Sequence, residues 1–100
     1  MVKMAIGNYI ESKRPPAKVR HIADLSYKIE GPDVIIYDIR DQKTERNIAK
    51  VTFVPDDKSW NVFRVKPNDQ WQRYEKCESV ANITDFIDLL KKDEAGYFWG

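Results

Sequence analysis

Residues 48–77, IAKVTFVPDDKSWNVFRVKPNDQWQRYEKC, decide the fold. They hold three short runs rich in β-branched and aromatic residues: IAKVTFV at 48–54, WNVFRV at 60–65 and WQRYEKC at 71–77. Two turn-forming clusters part them, Pro55-Asp56-Asp57-Lys58-Ser59 and Lys66-Pro67-Asn68-Asp69-Gln70. Runs of this kind, bounded by Pro, Asp and Asn, predict an antiparallel meander.

Two more strands precede the meander. In residues 22–30, Leu25, Tyr27 and Ile29 alternate with Ser26, Lys28 and Glu30, the period of a half-buried strand. Gly31-Pro32-Asp33 signals a turn, and VIIYDIR at 34–40 pairs back as a hairpin. Residues 41–47, DQKTERN, read as a polar loop.

Helices are expected at both ends. Val2, Ile6, Tyr9 and Ile10 form one helical stripe, which Pro15-Pro16 ends. Residues 13–21, KRPPAKVRH, make a basic connection best read as solvated surface. Near the C-terminus, Ile83, Phe86, Ile87 and Leu90 form a second stripe, with Leu89 beside it. Asn82 stands at the N-cap position, Asp85 in the first turn, and Lys91 and Lys92 in the last, all suited to the helix dipole. Gly96 offers a stop, and the chain closes on the apolar Tyr97-Phe98-Trp99-Gly100.

Simple hairpins divide the sheet into two faces, because cross-strand partners share a face. A loop over residues 55–59 sets Val54 opposite Trp60 and Val51 opposite Phe63; a loop at 66–69 sets Arg64 opposite Trp71 and Val62 opposite Arg73. One face then gathers Ala49, Val51, Phe53, Phe63, Val65 and Tyr74, extended by Leu25, Tyr27, Ile29, Ile35, Tyr37 and Ile39. This is the expected core, and two amphipathic helices can cover it. The other face gathers Lys50, Thr52, Trp60, Val62, Arg64, Trp71 and Arg73, flanked by Val34, Ile36 and Asp38. Tryptophans interleaved with bases are unusual for a sheet face left to water. A slip of one residue would exchange the faces.

Size and composition bound the function. One hundred residues, 42% hydrophobic and 33% charged, make one domain with its own core. The net charge of +1 supplies no global field toward nucleic acid or membrane. The ends differ in sign: residues 1–28 carry six bases and two acids (+4), residues 78–100 two bases and five acids (−3). Cys77 is the only cysteine, so no intrachain disulfide forms and a reducing, cytoplasmic setting is expected. No apolar run reaches membrane-span or signal-peptide length. Asn82-Ile83-Thr84 matches a glycosylation acceptor but reads better as a helix start.

Catalytic signals are sparse. The single histidine, His21, and the single cysteine exclude the usual zinc clusters, and no motif surrounds either residue. The glycines are too scattered for a phosphate loop. An acid pair of Asp38 and Glu75 is the enzyme reading; an Asp38 paired with Arg40, on the same side of its strand, is the structural one and is preferred. No cofactor and no metal are expected.

Several stretches together resemble a known family. They are the helix ending in Lys13-Arg14-Pro15-Pro16 with Arg20 beyond it, Tyr27-Lys28-Ile29-Glu30-Gly31 leading to Val34, and Asp38-Ile39-Arg40. Ile48-Ala49-Lys50-Val51 before Trp60, Trp71 with Tyr74, and the closing Phe98-Trp99-Gly100 follow in order. The chain resembles, over nearly its whole length, the bacterial family known as domain of unknown function 3024. That resemblance implies a small bacterial cytoplasmic protein and carries no activity, cofactor or catalytic residue with it.

The expectation is therefore one α+β domain over residues 1–100: a five-stranded antiparallel meander sheet with an N-terminal and a C-terminal helix packed on one face. Three uses compete for the other face. The tail Tyr97-Phe98-Trp99 covers it, or its own rings and cations stack on one another. It is an interface, for a second copy or another protein, through Trp60, Trp71, Arg64, Arg73 and Lys50. Or it binds single-stranded nucleic acid by stacking bases on Trp60 and Trp71, with Arg64, Arg73 and Lys50 tracking phosphates. Among functions the protein interface ranks first, nucleic acid second and catalysis third.

Overall fold

The computed structural model describes residues 2–93, 96, 98 and 99. Glu94, Tyr97, Gly100 and the side chain of Val2, all used in the sequence reading, lie outside that set. Helix α1 (Val2–Lys13) stops just short of Pro15-Pro16, whose ring nitrogens offer no amide for another turn. A short 3₁₀ turn (Ala17–Val19) leads into β1 (Ala23–Glu30). Then come β2 (Asp33–Arg40), β3 (Thr44–Val54), β4 (Ser59–Val65) and β5 (Trp71–Arg73). A two-residue β6 (Ser79–Val80) precedes helix α2 (Ile83–Lys92).

The strands lie in the order β1-β2-β3-β4-β5, an antiparallel meander, with β6 added on β4. Strands β5 and β6 share one side of β4, and residues 74–78 swing out between them. The Val62 backbone bridges the gap, accepting from the Tyr74 amide at 2.8 Å and donating to the Glu78 carbonyl at 2.9 Å. Cys77, expected to end a strand, sits in this excursion, with its thiol 3.2 Å from the Ser79 carbonyl.

Two departures concern β3. Residues 44–47 are strand rather than loop, pairing with residues 37–40 of β2. The loop shrinks to a tight turn with Asp41 (φ 53°) and Gln42 (φ 60°) both left-handed, a twist that suits a two-stranded ribbon. Between Ile36 and Tyr37 the ladder shifts, so that Ile48 is an extra residue. Through that bulge Ile48 and Ala49 are both buried.

The register also departs from expectation at three turns. Residues 55–58 form a four-residue loop with Lys58 left-handed (φ 50°), and Val54 faces Ser59, not Trp60. Lys66 and Gln70 still pair, Asp69 is left-handed (φ 64°), and Val65 rather than Arg64 faces Trp71. At the first hairpin Ile29 pairs with Val34 across Gly31-Pro32. Each is a shift of one residue, so β2 and β4 turn over while β1, β3 and β5 keep the faces expected of them.

The core accordingly keeps Leu25, Ala49, Val51 and Tyr74 and gains Val34, Ile36 and Val62. Ile6, Tyr9 and Ile10 of α1 and Phe86, Ile87 and Leu90 of α2 close over the same face. Asn82 is extended before α2 without a side-chain cap bond, and Asp93, not Gly96, ends the helix in a left-handed turn. The Asp93 carboxylate accepts the Phe98 amide at 3.1 Å and the Trp99 amide at 2.9 Å. Phe98 is thereby buried against Tyr74, ring centroids 4.9 Å apart. The Trp99 indole donates to the Leu90 carbonyl at 2.8 Å, and Lys13 lies over its ring. The described part of the tail therefore joins the helix side of the sheet.

Candidate partner-binding face

With both helices and the described part of the tail on one side, no described element lies over the other side of the sheet. Register and alternation place Lys28, Ile35, Tyr37, Lys50, Thr52, Asn61, Phe63, Val65, Trp71 and Arg73 there. Ile35 is buried even so, and Tyr37, Phe63, Val65 and Trp71 are half-buried. Cations lie over the three rings of this face, Tyr37, Phe63 and Trp71. Lys50 Nζ lies 4.6 Å from the Phe63 ring centroid and 4.8 Å from that of Trp71. The Arg73 guanidinium carbon lies 5.7 Å from the Phe63 ring, and Lys28 Nζ 5.3 Å from the Tyr37 ring. A cation over a ring face is attracted by the ring quadrupole, while its aliphatic stem covers apolar surface.

Arg73 is anchored from behind. One of its terminal nitrogens donates to the Glu78 carbonyl at 2.9 Å and reaches Asn61 Oδ1 at 3.3 Å. Its Nε is buried without a hydrogen-bond partner. The excursion at 74–78 thus fixes the guanidinium beside Phe63.

Of the five residues expected on this face, Lys50, Trp71 and Arg73 lie together on it. Trp60 and Arg64 do not, because β4 has turned over. Trp60 packs on Phe53, centroids 4.9 Å apart, and lines an apolar groove with Met4, Ala5, Ala81 and Ile83. Arg64 lies on the covered side, its side chain only 13% exposed, bonded to both Glu75 oxygens at 2.8 and 2.9 Å. The guanidinium holds the Glu75 carboxyl down to about 2. Phe63 and Tyr37 are the rings of the open face that the sequence reading assigned to the core. The turn offered no signal, since loops of four and of five residues are both ordinary hairpin connections.

The acid pair of the enzyme reading is not assembled: Asp38 and Glu75 answer to different arginines. Asp38 is buried, with one oxygen 2.8 Å from Arg46 and 3.5 Å from Arg40, and its Oδ1 has no partner. The pairing with Arg40 is the one expected from their spacing. Asp24 is held below the usual carboxylate range, chiefly by Arg14, which grips both its oxygens at 2.9 and 2.7 Å. Among the described residues no three His, Cys, Asp or Glu side chains come together as metal ligands, and no helix is long and apolar enough to cross a membrane.

A family model described as Domain of unknown function (DUF3024) matches residues 1–100. No curated protein and no solved structure matches the chain.

Proposed function

We propose, for a chain that belongs to the family of Domain of unknown function (DUF3024), a non-enzymatic interaction module whose open sheet face takes a protein partner. One observation carries the reading: Tyr37, Phe63 and Trp71 stay on the side that no described helix covers, under Lys28, Lys50 and Arg73, with Ile35 and Val65 beside them. Aromatic rings with arginine beside them are the composition of interface centres. The cations call for a partner whose apolar centre is rimmed by carboxylates. We read the setting as a bacterial cytoplasm, which the lone cysteine and absent disulfide favour.

The test is in-cell crosslinking followed by binding with the purified partner. A protein that binds the wild-type chain and loses at least tenfold in affinity with Trp71→Glu or Phe63→Glu supports the reading. Partners that bind wild type and both variants equally would sink it.

A second reading rests on Lys50, which sits between two rings as a cation beside a base-stacking platform would. It predicts quenching of tryptophan fluorescence by single-stranded oligonucleotides, reversed by salt. No quenching at low salt removes it.

A further inference from the structure

The sheet ends differently on its two sides. Beyond β5 and β6 the edge is broken into three residues, an excursion and two residues. Among the described residues no other strand lies beyond β1 (Ala23–Glu30), and its eight residues run without a break. A long unpaired strand is a template for another strand. Among the described residues the exposed large hydrophobics are Met4, Ile22 and Ile29; the last two, 54% and 45% exposed, sit at the two ends of β1.

The outward backbone groups of β1 can be identified. The Leu25 amide donates to the carboxylate of its own neighbour Asp24, at 2.8 Å, and not to β2. In an antiparallel pair alternate residues bond to the same side, so Ala23, Tyr27 and Ile29 share the outward direction of Leu25.

The side chains choose the partner. If a second copy adds antiparallel about Ser26, Asp24 lies opposite Lys28 of that copy, twice by symmetry. Leu25 lies opposite Tyr27, also twice, and Ala23 opposite Ile29. Every outward residue meets an outward residue, and both faces continue across the join. Moved to Tyr27, the axis sets Asp24 against Glu30, a like-charge pair; moved to Leu25, it leaves Asp24 opposite Ser26. Axes between residues put Leu25 against Lys28 or its equivalent and mix the faces. Among axes that keep most of β1 paired, only the Ser26 axis gives opposite charges and a continuous apolar face (an Ile29 axis also sets Lys28 opposite Glu30, but it overlaps only the last residues of the strand), and opposite charges facing across strands favour that register.

We propose that two copies of the chain pair through β1, antiparallel about Ser26, into one continuous sheet. The Leu25 amide then exchanges Asp24 Oδ1 for the Tyr27 carbonyl of the second copy. Asp24 stays between Arg14 and the incoming Lys28. The pairing leaves the rings of Phe63 and Trp71 uncovered, two such faces per dimer on the same side; the two readings share Lys28, and Trp71→Glu, which touches only the open face, tells them apart.

Sedimentation equilibrium tests it by charge exchange. Wild type is expected at twice the chain mass. Lys28→Asp alone and Asp24→Lys alone are expected at the single mass, because each sets like charges opposite each other. Mixed in equal amounts, the two variants are expected to recover the doubled mass, each supplying the charge the other lacks. Trp71→Glu is expected to keep the doubled mass. A wild type at single mass at its highest soluble concentration overturns the proposal. So does a doubled mass in both charge variants, or one lost on Trp71→Glu, which would move the contact to the open face. If Asp24→Lys fails to fold without its Arg14 pair, amide exchange of the wild type decides. Protection at Tyr27 and Leu25 must rise with concentration, and unchanged protection rejects the pairing.

Discussion

At position 64 the chain carries an arginine on the covered side of the sheet, and it grips a glutamate. Glu75 is half-exposed but takes both bonds of a fork, which is why its carboxyl is held to about 2 against an ordinary 4.5. The lowered value fixes the direction of the pH effect. The pair contributes in full above pH 4.5, where an unfolded chain already carries the charge. The contribution drains as pH falls from 4.5 toward 2 and the folded carboxyl takes up its proton. Glu75→Gln should therefore melt below wild type at neutral pH and with it near pH 2. Melting curves across that range check this; a constant gap would mean that the glutamate acts through packing instead. Nothing in the local sequence marked Arg64 as a partner of Glu75, because the two meet only through the turned-over strand.

Among the elements, α2 and its exit show how much one residue can organise. Asp93 ends the helix at φ 41° and, with two carboxylate oxygens, holds the amides that bring Phe98 and Trp99 onto the core. Asp93→Ala removes both bonds and puts a β-carbon residue without local hydrogen bonding in the left-handed region, a loss of about 2 kcal/mol. The expected readings are a lower melting temperature and a red shift of Trp99 emission; an unmoved spectrum would show that the tail docks without Asp93. The elements themselves were legible: alternation gave the five strands in order, and the apolar stripes gave both helices. Registers were not, since Lys58 and Asp69 adopt left-handed turns that no glycine announces. Those two slips cancel at β5. Trp71 and Arg73 therefore sat on the right face in the sequence reading while Trp60, Arg64 and Phe63 did not.

For the whole molecule, neighbours in the sheet are neighbours in sequence apart from the short β6 on β4, so stability should fall from the centre outward. Strands β2, β3 and β4 each lie between two others, and Ile36, Ala49, Val51 and Val62 are fully buried. Hydrogen exchange should find their amides slowest, near the global unfolding limit, and the amides of residues 75–77 fastest. Uniform protection would mean that the excursion is clamped as firmly as the core. That same excursion decides what the protein can become in bulk. A sheet with two intact edges can add copies end over end into a fibre; with residues 74–78 breaking one side, no strand there exceeds three residues. Growth along that side has nothing to copy. An assembly begun at the other side would close after a single step, so a concentrated solution is expected to hold finite particles, not threads.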